Sequence, residues 1–104
     1  MHTVLLVDDQ QDLLEKRSRI ITDMGYTCLT ADNGRQAIAM LKQKKPDVVL
    51  TDQNMPGLTG FDVLESARQL DAALPVIMIT GYASVRKSVL AMKHGAFDYI
   101  EKPV

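Results

Sequence analysis

Four of the five short apolar runs in this 104-residue chain end on residues able to do chemistry. Thr3 to Val7 runs into Asp8 and Asp9, Val48 to Thr51 runs into Asp52, Val76 to Thr80 closes on Thr80 itself, and Phe97 to Ile100 is followed by Lys102 beside Pro103. If these runs are strands of one open α/β sheet, their carboxyl ends share a rim, which is where such sheets bind ligands. Three carboxylates on one rim would repel each other by roughly 4 kcal/mol per pair at about 4 Å and an effective dielectric of about 20. A cation must relieve that repulsion. Hard carboxylate oxygens without His or Cys suit Mg²⁺, for which Mn²⁺ can substitute, and these ions favour sites where a phosphate completes the octahedron.

The rest of the set is suited to the phosphoryl group such a site anticipates. Lys102 can neutralise one phosphoryl oxygen as a point charge, Thr80 can donate a hydrogen bond to another, and one carboxylate can act as nucleophile. Asp52, alone at the end of a central strand, is best placed for that role. Taken singly, an Asp, Thr or Lys after a strand is an ordinary cap or loop residue. The agreement of Asp8, Asp9, Asp52, Thr80 and Lys102 across separate strand ends carries the reading.

The elements that must position these residues follow from periodicity. The apolar runs Thr3 to Val7, Tyr26 to Ala31, Val48 to Thr51, Val76 to Thr80 and Phe97 to Ile100 predict five strands, rich in β-branched and aromatic residues. Counted from Val4, Tyr26, Asp47, Val76 and Phe97, their starts lie 22, 21, 29 and 21 residues apart, which leaves room for a helix in each gap. Leu13, Leu14, Ile20, Ile21 and Met24 form the apolar stripe of the first helix, closed by Gly25. Arg17 interrupts that stripe, so its stem should pack and its head should snorkel to water. Asp32 or Asn33 caps a second helix carrying Ala37, Ile38 and Leu41, which Pro46 ends. Phe61, Leu64 and Ala67 mark a third. Ser84 caps a fourth with Val85, Val89 and Met92 inward, ended by Gly95. The alternation predicts a fifth helix after Val104, so the native chain should continue there.

Composition excludes several other functions. A chain of 11.5 kDa with 46% hydrophobic and 24% charged residues is one domain with a core. Twelve basic against thirteen acidic side chains, net −1, provide no field for nucleic acid or an anionic membrane. Val4 to Val7 and Val76 to Ile79 are far short of the roughly 18 residues that span a bilayer. Cys28 is the sole cysteine and allows no internal disulfide, which fits a reducing compartment and a cytoplasmic protein. It should lie in the core. His94 should meet the dipole at a helix end, and Arg86, Lys87 and Lys93 should form a solvated face.

On these residues the chain resembles the receiver domain of a two-component response regulator over all 104 residues. The resemblance is carried by Val4-Leu5-Leu6-Val7-Asp8-Asp9, Thr51-Asp52 through Met55-Pro56-Gly57, Thr80-Gly81 and Glu101-Lys102-Pro103. It implies a flavodoxin-like fold, a parallel sheet of order 2-1-3-4-5 flanked by helices. It implies that Asp52 accepts a phosphoryl group from a sensor histidine kinase or phosphotransfer protein. Asp8, Asp9, Asp52 and the backbone carbonyl of Asn54 would hold Mg²⁺, directly or through water. Thr80 and Tyr99 would form the switch, Lys102 would pair with the phosphoryl oxygen, and the bond before Pro103 would be cis. Asn54 and Tyr82 would modulate dephosphorylation.

Such a domain catalyses only its own phosphorylation and dephosphorylation, and acts on its own output domain or through a homodimer formed on phosphorylation. The segments Thr80 to Ser84 and Ala91 to Tyr99 resemble receivers of sigma-54-dependent, enhancer-binding activators, although receivers joined to helix-turn-helix output domains share much of this pattern. Thr59 departs from the acidic residue often found before Gly60.

The rival from another class is an Asp-nucleophile phosphatase of haloacid-dehalogenase type. That family has a second Asp two residues after the nucleophile, where this chain has Asn54, and a substrate-closing cap for which there is no room. A flavodoxin-like cofactor binder is disfavoured because the acidic rim would repel the flavin phosphate. A receiver that signals without phosphorylation is disfavoured because all five expected side chains are present.

Overall fold

The computed structural model describes residues 2–81 and 83–102. The expectations for Tyr82, for the peptide bond before Pro103 and for the chain after Val104 lie outside the described residues. Among the described residues nine elements alternate: β1 (Thr3–Val7), α1 (Gln11–Asp23), β2 (Thr27–Ala31), α2 (Gly34–Lys44), β3 (Val48–Asp52), α3 (Gly60–Leu70), β4 (Val76–Thr80), α4 (Val85–Lys93) and β5 (Asp98–Glu101). The strands pair in parallel in the order β2-β1-β3-β4-β5, as the resemblance to receiver domains implies.

Register decides what shares the rim. Val7 lies beside Thr51, Asp52 beside Ile79 and Thr80 beside Glu101, so the carboxyl ends of β1, β3, β4 and β5 come level. The winding of the chain reverses between β1 and β3, and a crevice opens at that switch point. Strands covered on both faces read as continuous apolar runs rather than alternations, which is the pattern these sequences show.

The two faces of the sheet are packed differently. Leu5, Val7, Val49, Val76 and Met78 form one core with Ala37 and Leu41 of α2, Val63, Leu64 and Ala67 of α3, and Ala91 of α4. Val4 and Leu6 point the other way, toward α1, whose Leu14 is buried. Caps set the helix starts as expected. Asn33 Oδ1 accepts from the Gln36 N–H at 2.8 Å, and Ser84 Oγ accepts from the Lys87 N–H at 3.1 Å. At α3 the Asp62 carboxylate accepts from the Thr59 N–H at 2.7 Å. The second helix stops before Pro46, where Lys45 takes a left-handed conformation.

Several expectations are corrected. β2 begins at Thr27 rather than Tyr26, β3 includes Asp52, and β5 begins after Phe97, which is 68% exposed. Ile20 of α1 and Met24, which follows its last turn, are exposed, because the helix lies against β1 and β2 near the sheet edge and only its Leu14 side is covered. In α4, Val85, Val89 and Met92 face outward, not inward. Ala91 lies two residues beyond Val89, about 200° around the helix. The helix has turned the side that carries Ala91 to the core. Cys28 is half-buried rather than fully in the core.

Candidate phosphoryl and metal site

Asp8 follows the last core residue of β1, so the strand's own burial fixes where its carboxylate sits. It is 1% exposed and each oxygen is engaged: Oδ1 accepts from the Gln10 N–H at 2.9 Å, and Oδ2 faces Arg17 Nη1 at 3.2 Å and Lys102 Nζ at 3.5 Å. Asp9 is exposed beside it. Asp52, at the end of the central strand, is buried, and its Oδ2 lies 3.5 Å from the same Lys102 Nζ. Lys102 therefore bridges the two buried carboxylates. Its backbone N–H donates to the Thr80 carbonyl at 2.7 Å, which fixes the stem of the lysine beside β4.

Burial pushes the Asp52 carboxyl above its ordinary value. Lys102 is the strongest opposing influence, Asp8 and Asp9 add to the rise, and the Asn54 backbone N–H, hydrogen bonded to the carboxylate, works against it. The charged form is thus held by one lysine and one amide against desolvation and like charge.

The backbone makes room for this arrangement at Gly60. A Cβ there would lie 2.3 Å from the Asp52 carbonyl oxygen and 2.9 Å from Gln53 Cα, so only glycine lets the start of α3 abut the end of β3. The Gly60 N–H donates to the Gln53 carbonyl at 3.0 Å.

Thr80 is fully buried, and Asn54 Nδ2 donates to its hydroxyl at 3.4 Å. Tyr99 lies on β5 beside Met78 of β4, and its hydroxyl donates to Gln53 Oε1 at 2.5 Å. Gln53 is 2% exposed and its Nε2 donates to Asn54 Oδ1 at 3.4 Å. Burial raises the Tyr99 phenol above its ordinary value, against hydrogen bonds from the Thr80 side chain and the Ser84 backbone, and Glu101 adds to the rise. Gln53, Asn54, Thr80 and Tyr99 thus form a hydrogen-bonded ring at the edge of the acidic pocket.

Asp8, Asp9, Asp52 and Lys102 meet at the rim as expected, and Thr80 is linked to the Asn54 side chain beside them, with Tyr99 joined through Gln53. Two further residues take part. Arg17 does not send its head to water, because Asp8 Oδ2 lies within reach and a buried carboxylate is the stronger partner. The interruption of the α1 stripe was the available signal, and it marked an inward polar contact. Gln53 carried only the weak signal of a polar residue directly after a buried strand.

One oxygen each from Asp8, Asp9 and Asp52 can lie within 4.8 Å of the others. Oxygens around Mg²⁺ at 2.0–2.1 Å stand about 3–4 Å apart, so the set fits an octahedral ion held partly through water. The cluster could hold a metal ion. Among the described residues no helix is long and apolar enough to cross a membrane.

Comparison with known proteins gives one family. The model for the response regulator receiver domain matches residues 4–104. The transcriptional regulator NtrC of Salmonella typhimurium is 39% identical over 100 residues, covering 96% of this chain and 21% of that protein. The chain thus spans about a fifth of the length of this curated relative. A receiver domain structure from Clostridium thermocellum superposes with a TM-score of 0.95 at 32% identity, over 100% of this chain and 84% of that one. A response regulator from Burkholderia pseudomallei, solved with a phosphorylated aspartic acid, a calcium ion and citrate, gives 0.94 at 25% identity over 100% of this chain and 61% of that one. Nothing in these comparisons supports the haloacid-dehalogenase alternative.

Proposed function

The chain belongs to the response regulator receiver family, and from that premise we propose that Asp52 is its phosphoacceptor, with residues 1–104 forming the receiver unit of a longer regulator. The observation that carries this reading is the shared Lys102 ammonium, 3.5 Å from both Asp8 and Asp52 at the end of the central strand. Lys102 opposes the rise that burial imposes on the Asp52 carboxyl and so favours the ionised form that a phosphoryl acceptor requires. A carboxylate oxygen of Asp52 attacks phosphorus, the bond from phosphorus to the donor nitrogen of a histidine kinase or phosphotransfer protein breaks, and an acyl phosphate forms. Lys102 meets one phosphoryl oxygen and the Thr80 hydroxyl another. Asp8, Asp9, Asp52 and the Asn54 carbonyl would hold Mg²⁺, or Mn²⁺ in its place, which when bound would supply charge neutralisation of the phosphoryl group.

The added charge draws the Thr80 hydroxyl toward the phosphoryl group, and the Tyr99 ring, hydrogen bonded to Thr80 and Gln53, responds. That movement controls an output domain elsewhere in the protein or a homodimer formed on phosphorylation, in a cytoplasmic regulator of transcription. The similarity to NtrC and the phosphorylated aspartic acid of the Burkholderia pseudomallei protein support this reading. Incubation with a small acyl phosphate and Mg²⁺ should add one phosphoryl group per chain, measured by intact mass, and Asp52→Asn should abolish it. Persistent labelling of the Asn variant would overturn the assignment.

A further inference from the structure

The α1 helix carries an arginine where its apolar stripe should continue. Arg17 lies three residues after Leu14, so both share the side of the helix that packs on the sheet. Its side chain is 18% exposed, and Nη1 reaches Asp8 Oδ2 at 3.2 Å. A guanidinium stays charged at any working pH. Asp8 therefore faces two fixed cations on one oxygen, Arg17 and Lys102, and a backbone N–H on the other. Little of its capacity as a ligand remains uncommitted.

Lys102 also serves Asp52, whereas among the described residues Arg17 pairs with the Asp8 carboxylate. We propose that Arg17 is a tethered counter-cation of the acidic pocket that competes with the divalent ion for Asp8 and so sets the metal affinity of the domain. This rests on the reading that Asp8, Asp9 and Asp52 take a divalent ion. Arg17 is a positioning residue here: it acts through Asp8 and needs no contact with the phosphoryl group. Its charge lowers the negative potential that attracts the ion, and its hydrogen bond must be released or shared when Asp8 turns to metal.

The experiment is a Mn²⁺ titration of the whole chain, followed by electron paramagnetic resonance, for the parent, Arg17→Met, Arg17→Gln and Arg17→Lys. Met keeps the aliphatic stem, Gln keeps a donor without charge, and Lys keeps the charge. Both uncharged variants should bind Mn²⁺ about five- to tenfold more tightly, the scale expected for removing one partly screened charge near the ion. The Lys variant should stay close to the parent. The rise in melting temperature caused by Mn²⁺ should also be larger in the uncharged variants than in the parent. A purely structural role for Arg17 would lower stability without tightening metal binding, and that result would overturn the proposal. Equal affinity of parent and uncharged variants would overturn it while leaving the metal reading intact, and absence of binding in all four would overturn both.

Discussion

Helices α3 and α4 flank neighbouring strands of one sheet, yet they are held in different ways. α3 buries Gly60, Val63, Leu64 and Ala67, and its first residue abuts the carbonyl of Asp52. α4 buries Ala91 alone and leaves Val85, Val89, Leu90 and Met92 exposed. The helix behind the proposed acceptor is therefore fixed by packing, while the helix that follows Thr80 is held by little more than a cap and one small residue. Regions with few buried contacts open at lower free energy than the core. Under the proposed phosphorylation of Asp52, the Thr80 and α4 side is the one free to move while Asp52 keeps its position. Arg68 ties the two regions, donating from α3 to the Gly95 carbonyl at the end of α4 at 3.1 Å and also to the Leu74 carbonyl.

The largest test of this contrast is Leu64→Ala, which empties a fully buried site between α3 and the sheet. It should cost about 2–5 kcal/mol of unfolding free energy, measured by urea denaturation. A cost under about 1 kcal/mol would place α3 with the loosely packed elements and break the comparison.

Next is the charge at the proposed acceptor, Asp52. A carboxyl whose folded value is raised holds more protons folded than unfolded between the ordinary 3.8 and the raised value. Stability is then highest below that window, falls as pH rises through it, and stays lower above it. Asp52→Asn cannot titrate, so it should be more stable than the parent at neutral pH, by the order of 1 kcal/mol or about 4–8 °C in melting temperature. The gain should shrink as pH is lowered through the carboxylate range. A gain independent of pH would point away from the buried charge as its cause.

A smaller effect is expected at the ring that joins the two regions. Gln53→Leu removes the acceptor of the Tyr99 hydroxyl and should cost about 0.5–1.5 kcal/mol. It should also shift the Tyr99 ring resonances in NMR spectra before any phosphoryl group is added. Unchanged resonances would mean that Gln53 does not hold the tyrosine.

The smallest effect belongs to Val89→Ala, half-exposed on α4, at less than about 0.5 kcal/mol by urea denaturation. A cost comparable with Leu64→Ala would show that the outer face of α4 is packed and would remove the contrast.

The difference between the two helices was only partly legible in the sequence. α3 shows Phe61, Leu64 and Ala67 at helical spacing, and the structure buries Leu64 and Ala67 and leaves Phe61 packed against the core. α4 shows an equally good stripe in Val85, Val89 and Met92, and the structure buries the opposite side. Periodicity reports that a helix has an apolar face, but which face is covered depends on the space its neighbours leave. Arg17 teaches the same lesson: its place in the stripe was visible, but the partner that draws it inward lies on another element, nine residues away in the chain.

The sequence by itself determined the alternation of strands and helices, the cap at Ser84 and a cap at Asp32 or Asn33, and the chemical set Asp8, Asp9, Asp52, Thr80 and Lys102. These follow from local periodicity, from side chains that bond their own backbone, and from residue types at the ends of apolar runs, all of which act within a few positions of one another. The tertiary structure alone decided that Lys102 bridges Asp8 and Asp52, that Arg17 shares Asp8, that Gln53 links Tyr99 to Asn54, and that α4 turns its stripe outward. Each of these depends on how separate segments of the chain are placed against one another, which strand register and helix packing set and no local pattern encodes.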